Sequence, residues 1–352
     1  MKLLRCLVPA TLLCCLSALV SAQSYPPEWS ATSKYAVGDQ VQLNGNVVRA
    51  VKPVTAAGKY VYSSWELWEV RANTNLLIGV GQTFANLPAA WAYMANARVA
   101  DGAYLHLYIA TTKQVFNETF TAPFSLDHAF GARISLIGDV QNNISLTFPG
   151  DGFSLDSGHS FALISGLNVV GVPTDTGTGL PVKGNSTVGN ISHTYFNGFP
   201  VGIASVQGSS VTLDNTAGVS NCSNTMIFAD TNGTVVCGAG STFSGNGTTT
   251  IALQAAFGGV IIAHGADFSF NDIAAEALEG GIIDIEASQC ETTNQVAISA
   301  TMHSHVDAAG VDFKTGSPTD IDCETGSTVE VTGGNPHHEI IDNAQGAYIY
   351  GP

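Results

Sequence analysis

From about residue 131 to the end, the chain alternates short apolar runs with small polar residues. Runs of four to seven residues rich in Val, Ile, Leu and Phe recur, among them Ile134–Ile137, Ile144–Phe148, Leu167–Val170, Ser210–Leu213, Thr249–Leu253, Val260–Ile262, Val296–Ala300 and Thr328–Val331. Gly, Asn, Asp, Ser and Thr separate them, which is the punctuation of strands joined by tight turns. A helical turn is expected only near Ala274–Leu278. Earlier in the chain, Asn44-Gly45 between a strand Gln40–Leu43 and a strand Asn46–Val51 predicts a hairpin. Phe84, Leu87, Trp91 and Met94 recur at helical spacing, with Pro88 fitting the first turn, so a helix is expected within 84–97. A strand Tyr104–Ala110 follows the Asp101-Gly102 turn.

This pattern makes the chain all-β. Some 220 residues of closely spaced strands exceed one ordinary sandwich, so a stacked solenoid is favoured over a jelly roll or Ig-like sandwich. No strict repeat is visible at this level.

The N-terminus changes the picture of where the protein goes. Lys2 and Arg5 precede an apolar run from Cys6 to Val20 that ends at Val20-Ser21-Ala22, the layout of a secretory signal over residues 1–22. An uncleaved anchor is the alternative. No second apolar run reaches membrane length, so no span is expected after removal. Loss of Lys2 and Arg5 leaves 10 basic against 28 acidic residues, a net charge of −18. That charge disfavours nucleic acid and anionic membrane surfaces. Arg133 is the last arginine, and only Lys183 and Lys314 follow it. Calcium held by carboxylates would be the route to a strongly anionic polysaccharide.

Cys6, Cys14 and Cys15 belong to the signal, leaving Cys222, Cys237, Cys290 and Cys323. In an exported chain these predict two disulfides, with Cys222–Cys237 favoured on proximity and Cys290–Cys323 then following. Buried free thiols are the alternative. Seven Asn-x-Ser/Thr sequons, Asn143 among them, carry glycans only if the host is eukaryotic.

Residues 24–72 stand apart, holding Trp29, Trp65 and Trp68, three of the four tryptophans. Trp29-Ser30, Tyr35, Gly38-Asp39-Gln40-Val41, Asn44-Gly45 and Trp65-Glu66-Leu67-Trp68 together resemble small chitin- and cellulose-binding modules. That resemblance implies Trp29, Tyr35, Trp65 and Trp68 as sugar-contacting rings. The alternative is that the rings form the core of the small unit. A second set, Gly81-Gln82-Thr83-Phe84, the helix, Ala100-Asp101-Gly102 and Gly131-Ala132-Arg133-Ile134-Ser135-Leu136-Ile137-Gly138, resembles the opening of right-handed parallel β-helix proteins. These are the pectate-lyase-like superfamily, phage tailspikes and surface adhesins in particular. The resemblance implies a parallel β-helix over 76–352 with an N-terminal capping helix, and a homotrimer as in spike proteins.

The fold hosts enzymes and plain adhesins, so chemistry has to be read from residues. Asp284 and Glu286 point the same way on one strand. Asp267 and Asp272 lie about one rung earlier, so the four form the candidate carboxylate cluster for hydrolysis or for calcium. His303, His305 and Asp307 have the spacing of a metal site, and His337-His338-Glu339 is a weaker one. Gly158-His159-Ser160 has only a faint likeness to a polygalacturonase motif, whose other elements are absent. A lyase lacks its cationic clamp. The expected function is therefore attachment of a secreted or virion-surface protein to a polysaccharide or cell-surface glycan. A carboxylate-dependent polysaccharide hydrolase and a structural surface protein are the alternatives.

Overall fold

A computed structural model describes residues 25–55, 58–110, 115–139, 143–172, 176–245, 250–268, 270–290, 292–313, 319–336, 339–343 and 346–351. The expected signal, Cys6, Cys14, Cys15, His337 and His338 lie outside these residues. The molecule is an all-β parallel solenoid of about nine turns, preceded by a small sheet and one short helix. Among the described residues no helix is long and apolar enough to cross a membrane.

Successive turns of the solenoid add parallel strands to three long sheets, sheet I along nearly the whole length and sheets II and III over parts of it. Sheet I runs from Thr74–Ile78 through Ile134–Gly138 and Val260–Ile262 to Tyr348–Tyr350. Sheet II starts at Val115–Thr119 and continues through Asn168–Gly171 and Tyr195–Asn197 to Thr242–Ser244. Sheet III spans Thr178–Val182 to Glu339–Asn343. The reason is visible in sheet I, where Val188, Val211, Val235, Ile261, Ile283, Val306 and Val329 pair in succession. All seven are buried. One β-branched residue per turn thus builds a continuous apolar column, and its flanking residues face out.

The corner leading into sheet I is a repeated device. Gly184-Asn185, Gln207-Gly208, Thr231-Asn232, Phe257-Gly258, Glu279-Gly280, Met302-His303 and Thr325-Gly326 each hold two successive residues at positive φ. Two left-handed residues make a turn of the I′ kind, which reverses the chain in the least length. A small residue always follows. At Gly233 an added Cβ would lie 1.8 Å from the Ser205 carbonyl oxygen, so no side chain fits there. Where the residue is serine it is buried and useful. The Ser186 N–H donates to Ser209 Oγ at 3.2 Å, and the Ser304 N–H donates to Ser327 Oγ at 3.1 Å. Aromatic rings fill the interior; Phe243 and Phe268 stack at 5.6 Å.

The hairpin forms as expected, Gln40–Leu43 against Asn46–Ala50, with Asn44 and Gly45 both at positive φ. The helix is shorter than the periodicity suggests, Leu87–Met94. Phe84 is drawn into a bridge with Ile78, and the Asn86 side chain then caps the helix by accepting from the Ala89 N–H at 2.9 Å. The turn expected near Ala274–Leu278 is instead the strand Asn271–Ala277. Its Ala275 pairs with Leu253 on one side and Ile298 on the other, so stacking overrides helix propensity.

The disulfides expected among Cys222, Cys237, Cys290 and Cys323 are not formed; none of the four is cross-linked and all are buried. The physical reason is the rung. Cys222 follows the sheet II strand Gly218–Ser220, whereas Cys237 ends the sheet I strand Thr234–Cys237. Cys290 belongs to Gln289–Cys290, paired parallel with Asp312–Phe313, and Cys323 to Thr319–Glu324 of sheet III. Fifteen residues separate Cys222 from Cys237 and 33 separate Cys290 from Cys323, neither a whole number of turns of 22 to 26 residues, so the partners occupy different faces.

Candidate functional site

The aromatic N-terminal unit divides its rings between core and surface. Trp65 is 3% exposed, with Tyr60 stacked on it at 5.5 Å and Tyr35 edge-on at 5.2 Å. Trp29 packs its edge on Tyr60 at 5.8 Å. Three of the four expected sugar-contacting rings therefore build the small core, because a sheet this short has little else to bury. Trp68 is different. Val47 pairs with Glu69 and Val48 with Leu67, so Trp68 is the extra residue of a β-bulge, which re-aims its side chain. The Arg49 guanidinium lies 3.7 Å from its ring centre, a cation–π contact.

Beside Trp68 runs a groove of about 540 Å³ lined by Tyr25, Gln40, Arg71, Asn96 and Arg98 among others. Tyr25 is 74% exposed, and Arg71 sits 4.8 Å from its ring centre while pairing with Glu69 at 2.7 Å. Arg98 makes no ion pair among the described residues. Every arginine after Arg5, namely Arg49, Arg71, Arg98 and Arg133, falls in this N-terminal region. An exposed ring (Tyr25) and a half-buried one (Trp68) next to planar multi-donor groups suit a hydroxyl-rich ligand. Tyr25, Arg71 and Arg98 carried no signal as single residues. The clustering of all the arginines before residue 134 was the available hint.

The acidic residues assemble only in part. Asp284 pairs in register with Asp307, and Asp307 with Glu330, on consecutive strands of sheet I. Carboxylate oxygens of Asp284, Glu286 and Asp307 lie within 4.8 Å of one another. His264 stands one rung before, its Nε2 2.7 Å from Asp284 Oδ2. Asp267 bridges Thr242 and Gln289 in line with sheet II, and Asp272 is buried at the start of the sheet III strand Asn271–Ala277. They do not join Asp284 and Glu286, since 17 and 12 residues are less than one turn. Asp307 and Glu330 lie one turn on, at 23-residue steps, and that step was the missing signal.

This face supports few reactions. Asp284 and Asp307 lie in register on one sheet, whereas Glu286, expected on the same strand as Asp284, sits in the turn just after Ile282–Asp284; the three form one patch and do not flank a glycosidic bond from opposite sides as a hydrolase pair must. Calcium takes six to eight oxygens, and this patch offers three carboxylates, with Asp284 Oδ2 already 2.7 Å from His264 Nε2. His305 and Asp307 both point outward, but His303 lies in the corner turn with its Nδ1 3.1 Å from the Thr325 carbonyl oxygen. His305 Nδ1 is 2.6 Å from Thr328 Oγ1, so the two imidazoles have separate partners.

The His264–Asp284 pair has a measurable consequence. The hydrogen bond to Asp284 raises the His264 pKa above its usual value; burial opposes it, and the charges of Asp284, Glu286 and Asp307 reinforce it. Protonated His264 therefore favours the folded state fully below about pH 6.5, and the contribution fades as pH rises through the raised folded-state pKa. Imidazole proton shifts followed by NMR are expected to show His264 titrating above free histidine. In Asp284→Asn the midpoint falls back. An unmoved midpoint in that variant contradicts the pairing.

Comparison with known proteins found no matching family model, no matching curated protein and no matching solved structure. The class of the chain thus rests on its own geometry, a parallel β-solenoid with an aromatic N-terminal sheet.

Proposed function

We propose that the protein is exported and attaches to a glycan surface, in the manner of an adhesin or receptor-binding spike. The observation that carries this reading is the groove where Trp68 and Tyr25 lie beside Arg71, Arg98, Gln40 and Asn96. Pyranose C–H faces stack on aromatic rings, while guanidinium and amide groups fix the hydroxyls. The solenoid then acts as a rigid shaft, and the signal-like residues 1–22 supply export.

Retention of the full chain on immobilised chitin, cellulose and bacterial or host envelope polysaccharide tests it. Trp68→Ala is expected to weaken retention about tenfold or more, equivalent to about 1.4 kcal/mol. Its thermal midpoint stays near that of the parent, because the ring is not in the core. Trp65→Ala makes a poor probe of binding, since it loses fold as well. Equal retention of parent and Trp68→Ala on every surface removes the reading.

A further inference from the structure

We propose that the flank of the solenoid around Tyr195 is a second binding subsite, for uncharged hexopyranose units. It rests on the glycan-attachment reading and is physically separate from the N-terminal groove. Tyr195 begins the sheet II strand Tyr195–Asn197 and is 48% exposed. Its in-register neighbours are Asn168 on one side and Gly218 on the other. A Cβ on Gly218 would come 3.0 Å from Tyr195 Cδ1, so the ring leans over a rung that carries no side chain there.

A groove of about 490 Å³ opens beside this ring, lined by Asn143, Asn168, His193, Asn215 and Thr216 as well as Tyr195. The side-chain amides of Asn143, Asn168 and Asn215 make no hydrogen bond among the described residues. Each therefore keeps its donors and acceptor free. His193 is held in place. Its backbone, at φ 46°, donates to Thr216 Oγ1 at 2.8 Å, and that hydroxyl donates to Asp214 Oδ1 at 2.5 Å. A ring face with unspent amides around it matches a sugar's alternation of C–H faces and hydroxyls.

The lining also decides the charge of the ligand. No lysine or arginine borders the groove, and Asp214 lies behind Thr216, so a uronate or a phosphate backbone finds no counter-ion. Three amides make it too polar for an apolar protein surface. Uncharged hexose fits both conditions.

The test uses the full chain made in a bacterial host, which leaves the Asn143 sequon bare. Calorimetric titration with cellohexaose, mannohexaose and the hexamer of N-acetylglucosamine is compared with polygalacturonate. At least one neutral hexaose is expected to bind, weakening about tenfold or more in Tyr195→Ala and staying within about threefold in Tyr195→Phe, which keeps the ring. Thermal midpoints confirm that both variants fold, and Asn168→Ala gives an independent loss. Unchanged binding in Tyr195→Ala alongside loss in Trp68→Ala overturns this subsite and leaves the N-terminal reading standing. No change in either variant overturns both. Binding of polygalacturonate alone overturns the assignment to uncharged sugar.

Discussion

Replacing Phe268 with alanine is expected to cost about 3–5 kcal/mol, the usual range for removing a fully buried phenylalanine. Phe268 is 0% exposed and stacks on Phe243 with ring planes 15° apart. The hole cannot close easily, because the rungs above and below are fixed by ladder hydrogen bonds on three sheets. Solenoid turns touch only their neighbours, so the damage should stay local. Amide exchange is expected to speed up in Val260–Ile262 and Ile282–Asp284 while Leu105–Ile109 remains protected. Phe257, on the corner turn and exposed, is the control, with Phe257→Ala changing stability by less than about 0.5 kcal/mol. Urea midpoints and exchange rates for both variants decide the matter. Equal losses in the two would mean that Phe268 does not anchor the interior.

The reach of sequence reasoning was set by how local each signal is. Asn44-Gly45 declares its hairpin within a dozen residues, and the Val and Ile runs declare their strands. The stacking of those strands rests on their number and on the resemblance to parallel β-helices, although a repeat is present. It consists of a left-handed pair, a small residue, a variable residue and a buried Val or Ile, as in Gln207-Gly208-Ser209-Ser210-Val211 and Thr325-Gly326-Ser327-Thr328-Val329. Two corners hide it by using Thr231-Asn232 and Met302-His303 in place of a glycine. The turns also vary in length, Val235 to Ile261 taking 26 residues and Ile261 to Ile283 only 22. Without the period, Asp284 is matched with Glu286, two residues on in the turn after Ile282–Asp284, but not with Asp307 on the next strand. The tryptophans are hard to sort for another reason. Composition says that tryptophans concentrate before residue 72, whereas the division between core and surface depends on the bulge at Trp68, which no propensity announces.

The thiols give the second large effect, an all-or-none one. Native protein lacking residues 1–22 is expected to show no thiol reactive toward a soluble aromatic disulfide reagent over minutes, and four after denaturation. Cys222, Cys237, Cys290 and Cys323 are all buried. Burial pushes the thiols of Cys222 and Cys237 up to about 12, and burial with nearby carboxylates pushes Cys290 up as well. A thiol near 12 is ionised in only about one molecule in ten thousand at pH 8, and only the thiolate attacks. The cysteines act instead as small apolar plugs: Cys237 pairs with Leu213 in sheet I, and Cys323 pairs with Ala300 in sheet III. Reductant should therefore leave the unfolding midpoint where it is. A midpoint that falls by the equivalent of about 2–4 kcal/mol on reduction would reveal a cross-link. If stability is indifferent to reductant, the shaft owes its strength to its repeated apolar columns and serine ladders, and it would hold together equally well in a reducing or an oxidising compartment.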